Sequence, residues 1–115
     1  MKFINRGVVI LKPKSPFVDW ANRTGDGNLV LTQGEIGGDS TAYLTPEIEG
    51  DEELREFLEQ SHSMLFEQEL FEWSRDESEW PSNRNLSTFL EWFEIEFFST
   101  VIDTIDGDIE IVEDI

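Results

Sequence analysis

The side chains that could do chemistry are few in kind and skewed in number. Histidine occurs once, at His62, and cysteine not at all, whereas aspartate and glutamate number 26. Without cysteine there is no disulfide, no thiolate nucleophile and no Cys-ligated zinc. Soft transition metals need thiolate or imidazole ligands. Glu59-x-x-His62 supplies only half of a di-iron carboxylate pattern, and the second half is absent. His62 is also the only base open to a Ser-His-Asp triad. Its neighbours Ser61 and Ser63 diverge from it on a helix, and no Gly-x-Ser-x-Gly elbow is present. No metal, cofactor or catalytic residue is therefore expected.

So many acids invite a test for calcium. An EF-hand loop needs oxygen ligands at its first, third, fifth and twelfth positions and glycine at the sixth. With Gly27 at the sixth position, Gln33 stands where a bidentate glutamate belongs; with Gly107 there, Ile102 stands first. Both frames fail. Asp103, Asp106, Asp108 and Glu110 read as a solvated acidic turn. Gly34-Glu35-Ile36-Gly37-Gly38 lacks the Lys and Ser/Thr of a phosphate loop. Carboxylate pairs of the glycosidase kind carry no information in a chain where acids meet by chance.

The most unusual segment is the stretch 74–85, which mixes Arg75, Asp76, Glu77, Trp80, Pro81, Asn83 and Arg84. Loops concentrate binding residues, and Trp and Arg dominate interaction hot spots. Asp76, Glu77, Trp80, Asn83 and Arg84 are the candidate partner-binding residues. The plainer alternative is structural: Trp80-Pro81 plugs one end of the core while Arg75 and Arg84 pair with helix acids.

Charge narrows the partner. The chain has 115 residues and a formal charge of −18. A surface this acidic repels phosphate, so nucleic acid and anionic membrane leaflets are disfavoured. The charge is also uneven. Residues 1–25 carry five of the eight basic residues and one acid, which gives +4; residues 26–115 carry three arginines against 25 acids, which gives −22. The basic N-terminal segment is expected to sit inside the fold and neutralise nearby acids.

These residues need a scaffold, and the composition can build one. Leu, Ile, Val and Phe make up about 30% of the chain, above the roughly 20% that marks disorder. Residues 6–12 form an apolar β-branched run without alternation, expected as a central strand buried on both faces. Ser15-Pro16 opens a short helix over 16–23, with Ser15 as cap and Phe17, Trp20 and Ala21 on one face. Residues 29–39 are open to two readings: a short edge strand from the alternation at Leu29–Thr32, or a loop from Gly34, Gly37 and Gly38. Residues 41–45 form a strand ended by Pro46. A long helix spans 51–73, capped by Gly50 or Asp51. Its Leu54, Phe57, Leu58, Leu65, Phe66, Leu70 and Trp73 face inward; Glu52, Glu56, Glu59, Glu67, Glu69 and Glu72 face outward. A third helix over 86–93 is capped by Asn85 or Ser87. Residues 94–105 read as a second central strand. Residues 106–115 read as an edge strand or a frayed acidic tail.

The expected architecture is α+β in a single domain: a small, mostly antiparallel sheet of three to four strands with three helices packed against it. The early strand–helix–strand order suggests a crossover connection. Asn5 to Trp20, and Asp76-Glu77 with Trp80-Pro81-x-Asn83-Arg84 and Phe89-x-x-Trp92-Phe93, resemble a family of small acidic bacterial proteins of no established function. The resemblance implies a bacterial cytoplasmic protein and carries no activity. No apolar run approaches the roughly 18 residues of a membrane span, and no signal-peptide layout precedes Lys12-Pro13-Lys14. The expectation is a soluble cytoplasmic protein that binds another protein with a basic surface. A small ligand-binding protein or enzyme using Trp80 and Arg84 is the alternative, and a homodimeric subunit is the third.

Overall fold

In a computed structural model of the chain, residues 1–24 and 40–115 are described. The strands are β1 (Lys2–Phe3), β2 (Gly7–Pro13), β3 (Ala42–Thr45), β4 (Phe93–Phe98) and β5 (Ile102–Asp103). The helices are α1 (Ser15–Arg23), α2 (Asp51–Trp73) and α3 (Leu86–Trp92), with a short 3₁₀ turn at Glu77–Glu79. The fold is α+β. One sheet has three strands in the order β3-β2-β4, and a second pairs β1 with β5; all pairs are antiparallel. The segment 29–39 lies outside the described residues.

β2 is central, as its composition predicts, but it is buried on one face only. Gly7, Val9, Leu11 and Pro13 are buried; Val8 and Ile10 are half-buried and Lys12 is exposed. The helices cover one side of the sheet, and an antiparallel sheet tolerates water on the other. Residues 94–105 do not form one central strand. The chain leaves β4 at Phe98, passes Ser99 and Thr100, and re-enters a strand at Ile102. Among the described residues β4 pairs with β2 alone and is an edge strand. The longer run 94–105 suggested a centre because apolar residues recur on both sides of it.

The crossover also lies elsewhere than expected. β2 and β3 are antiparallel neighbours, so α1 does not join parallel strands. β3 and β4 instead run the same way on either side of β2, and α2 and α3 carry the chain between them. Residues 106–115 form no strand, and every one of them is exposed.

Local chemistry sets the helix ends. Asn85 Oδ1 accepts the Thr88 N–H at 2.8 Å and caps α3. Gly50 precedes α2 with φ +96°, a conformation that favours glycine. Glu53 reaches back to accept the Glu49 N–H at 2.9 Å. In α1 the cap residue is Lys14 rather than Ser15, which already lies in the helix; no side chain caps that end.

The core is an aromatic block. Phe17, Trp20, Phe66, Phe89 and Phe93 are buried and Trp92 is half-buried beside them. Neighbouring rings meet at tilted or edge-on angles with centroids 5.1–6.1 Å apart, from Phe17–Phe93 to Trp20–Trp92. Leu11, Leu58, Leu65 and Leu70 close the block. Gly7 belongs to the packing too: a Cβ there would sit 2.7 Å from Phe97 Cε2 and 2.7 Å from Thr45 Oγ1.

The basic residues of the N-terminal segment stay exposed rather than inside the fold, and the three lysines meet acids or a carbonyl at its surface. Lys12 Nζ lies 2.7 Å from Glu96 across the sheet, and Lys2 lies 4.0 Å from Asp103. Lys14 donates to the Leu90 carbonyl at 3.0 Å near the C-terminal end of α3, where a cation is favoured.

Candidate functional site

The segment 74–85 is held by its own polar groups. Asp76 Oδ1 accepts from the Ser78 N–H at 3.0 Å and from Ser78 Oγ at 2.6 Å. These bonds hold the Asp76 carboxyl below its ordinary range and fix the 3₁₀ turn. Asn83 Oδ1 accepts from the Asn85 N–H at 3.2 Å. Asp76 and Asn83, two of the candidate binding residues, are therefore turn formers. Glu77 is exposed in the 3₁₀ turn.

Trp80 and Arg84 do come together. The Arg84 guanidinium lies 5.8 Å from the Trp80 ring centroid, donates to the Pro81 carbonyl at 2.8 Å, and stands 3.7 Å from Glu67. The indole N–H of Trp80 donates to Ser74 O at 2.9 Å, and that of Trp20 to Glu79 O at 2.8 Å. The segment is thus pinned to α1 and α2. Trp80 stays half-buried and the Arg84 side chain stays 33% exposed. The five candidates do not line one cavity. Two open concavities flank the segment instead. One, of about 450 Å³, lies between Trp20, Arg23, Glu79, Pro81 and Trp92; the other, of about 470 Å³, lies between Met64, Glu67, Phe71 and Trp80.

The acids of α2 fall into two environments. Asp51, Glu52, Glu53, Glu56, Glu59, Glu67 and Glu72 are exposed. Arg55 is the only basic residue on the helix, and it is paired with Glu59 at 3.1 Å. Glu52, Glu56, Glu59 and Glu67 recur at helical spacing along about 22 Å of its length at 1.5 Å per residue. Like charges at this spacing repel by a few tenths of a kcal/mol per pair.

Glu69 does not belong to that outer face. It is 8% exposed, on the core side of α2 with Leu65, Phe66 and Leu70. Burial, with Glu72 close by, pushes its carboxyl up to about 8, so it holds a proton at neutral pH. Burial raises the Tyr43 phenol as well. Its Oη is buried against Glu69 without a well-formed hydrogen bond among the described residues. Thr41 Oγ1 donates to Glu72 at 3.3 Å at the margin of this cluster. The sequence held one signal: Glu69 stands four residues after Leu65 and three after Phe66, a core position.

His62 is occupied within α2. Its Nδ1 lies 3.0 Å from Leu58 O and 3.1 Å from Glu59 O, and its ring packs 6.3 Å from Phe89. Among the described residues no three His, Cys, Asp or Glu side chains are grouped to hold a metal ion, and no helix is long and apolar enough to cross a membrane.

No family model, curated protein or solved structure matches this chain.

Proposed function

We propose that the protein is a non-enzymatic, cytoplasmic interaction module whose acidic surface engages a protein with a basic surface. The observation that carries this reading is the row of exposed carboxylates on α2, with Arg55 as its only helical cation. Such a row repels itself, and a cationic partner relieves the repulsion while its field steers the encounter. The same carboxylates compete with nucleic acid for that partner, because both present repeated negative charge.

The test compares the wild type with a Glu52→Gln, Glu56→Gln, Glu59→Gln, Glu67→Gln variant as immobilised bait. Lysate is applied at about 50 mM and about 500 mM salt, where screening differs several-fold in range. Basic proteins recovered by the wild type at low salt, lost at high salt and depleted about tenfold on the variant support the proposal. Recovery of no basic protein at either salt ends it.

A second reading, a small-ligand site beside the segment 74–85, has its own observation. Trp20, Trp92 and Pro81 wall the 450 Å³ concavity, and Arg23 and Glu79 also line it. That lining suits a small aromatic ligand whose acidic group meets Arg23. Titration with benzoate or indole-acetate, followed by Trp fluorescence in the wild type and a Trp92→Phe variant, decides it. An unchanged spectrum removes this reading.

A further inference from the structure

Residues 108–115, Asp-Ile-Glu-Ile-Val-Glu-Asp-Ile, follow β5 and pair with no strand among the described residues. Gly107 turns the chain with φ +115°, and Lys2 Nζ donates to the Gly107 carbonyl, which ties that turn to β1. Beyond it four large aliphatic side chains stand in water. Ile109 is 64% exposed, Ile111 86%, Val112 96% and Ile115 94%.

The pattern of these residues is that of a strand. Ile109, Ile111, Glu113 and Ile115 fall on one side at a period of two; Asp108, Glu110, Val112 and Asp114 fall on the other. One side is mainly aliphatic and the other mainly acidic. All four aliphatics are β-branched, the class that favours strands and disfavours helices. A helix here would also place Glu113 and Asp114 in its last turn, against the dipole. The segment has the residue pattern of an amphipathic strand but forms none in the fold.

The fold contains the same pattern in its paired form. β4 reads Phe93-Glu94-Ile95-Glu96-Phe97, with Ile95 opposite Leu11 of β2 and Glu94 opposite Lys12. Glu96 meets the Lys12 ammonium at 2.7 Å. An acid–aliphatic strand is accepted here because its neighbour offers an apolar side and a lysine. Segment 108–115 carries Asp108, Glu110 and Asp114 on its even side, Glu113 on the other, and no base. A second copy of this chain is a poor host, since its edge strand β4 presents Glu94 and Glu96 and its net charge is −18.

We propose that residues 108–115 bind by adding as a strand to an open sheet edge of a basic protein, with Ile109, Ile111 and Ile115 on its apolar side and Asp108, Glu110 and Asp114 facing its lysines or arginines. Main-chain hydrogen bonds supply affinity in this mode, and the alternate side chains supply register. The inference rests on the proposed basic partner and adds the segment and the mode of contact.

The test is photo-crosslinking of the full-length protein with p-benzoylphenylalanine in place of Val112, irradiated in lysate, with the adduct mapped by mass spectrometry. The expected adduct lies on an edge strand of a protein with a basic surface. A composition-preserving pair, Glu110→Ile with Ile111→Glu, keeps the charge and breaks the alternation; it should cut the adduct at least about tenfold. Both changes lie in an exposed, unpaired segment, so the fold is not at stake. No adduct, an adduct on a helix or loop, an adduct on this chain, an adduct on a protein without a basic surface, or an undiminished adduct from the swapped pair overturns the inference. If the four α2 substitutions abolish capture of basic proteins while the swap changes nothing, the strand mode fails and the broader proposal stands.

Discussion

β4 and segment 108–115 are alike in sequence and opposite in fate. Each alternates acids with large apolar residues; β4 follows α3 directly, and 108–115 follows the turn at Gly107. In β4 the inner residues Phe93, Ile95 and Phe97 are buried or half-buried against β2, and Glu96 finds Lys12. In 108–115 the aliphatics are exposed and the acids have only solvent. The difference teaches that an amphipathic strand is only half of a structure. A hydrogen-bonding edge and a cation decide whether its pattern is realised. Of the three lysines, Lys12 and Lys2 stand beside β4 and β5.

The comparison breaks first if the aromatic block is not what holds β4. Phe66 and Phe89 are fully buried and pack with centroids 5.7 Å apart. Phe89→Ala should cost about 3–5 kcal/mol, a large share of a stability on the order of 5–15 kcal/mol. Chemical denaturation should show the midpoint collapse or the cooperative transition vanish. A loss below about 1 kcal/mol would place the core elsewhere.

Next comes Glu69, an acid that is buried where others are exposed. Its folded pKa of about 8 lies above the ordinary 4.5, so the folded state holds an extra proton between those values. Stability therefore falls as pH rises through this window and levels off above it. The wild type should lose on the order of 4–5 kcal/mol relative to Glu69→Gln between pH 4 and pH 9, taken from the distance between 4.5 and about 8. The general repulsion of the other acids is common to both proteins and cancels in the difference. Parallel pH–stability curves would show that Glu69 is ionised in the fold.

A smaller effect tests the pairing of β2 with β4. Gly7→Ala forces a Cβ to within 2.7 Å of the Phe97 ring and of Thr45 Oγ1. The ring must shift, at a cost of about 1–3 kcal/mol. Thermal melting of the variant measures it, and an unchanged midpoint would mean that Phe97 does not lie over Gly7.

Much of this scaffold is legible in the sequence because its signals are local. Pro16 near a helix start, Asn85 as a cap, and the Leu58–Leu65–Phe66–Leu70 stripe each follow from spacing and side-chain chemistry. Other features depend on tertiary context. The apolar faces of 94–105 cannot reveal that Ser99 and Thr100 divide the run between two sheets. The β-branched run of β2 cannot reveal that helices cover only one of its faces. Glu69 looks like its exposed neighbours until its position relative to Leu65 and Phe66 is given weight. In the segment 74–85, residue type singles out Trp80 and Arg84, but their approach to 5.8 Å is a feature of the fold. Residue type does not separate Asp76 and Asn83, which close turns, from residues left free to bind, because the same short polar side chains serve both ends.

The smallest expected effect sharpens the comparison most. Ile95→Ser removes a half-buried side chain opposite Leu11, and about 1–2 kcal/mol of stability should go with it. Ile109→Ser with Ile111→Ser removes two aliphatics that contact little, and the melting midpoint should change by no more than about 0.5 kcal/mol allows. A stability effect is thus expected from one isoleucine in β4 and not from two in 108–115. If the double variant instead melts several degrees lower, segment 108–115 already packs on its own fold, and its aliphatics are not held for a partner. If it melts unchanged, their retention in water has no explanation in the stability of the chain itself. Selection for a contact outside the chain is then the physical account that remains.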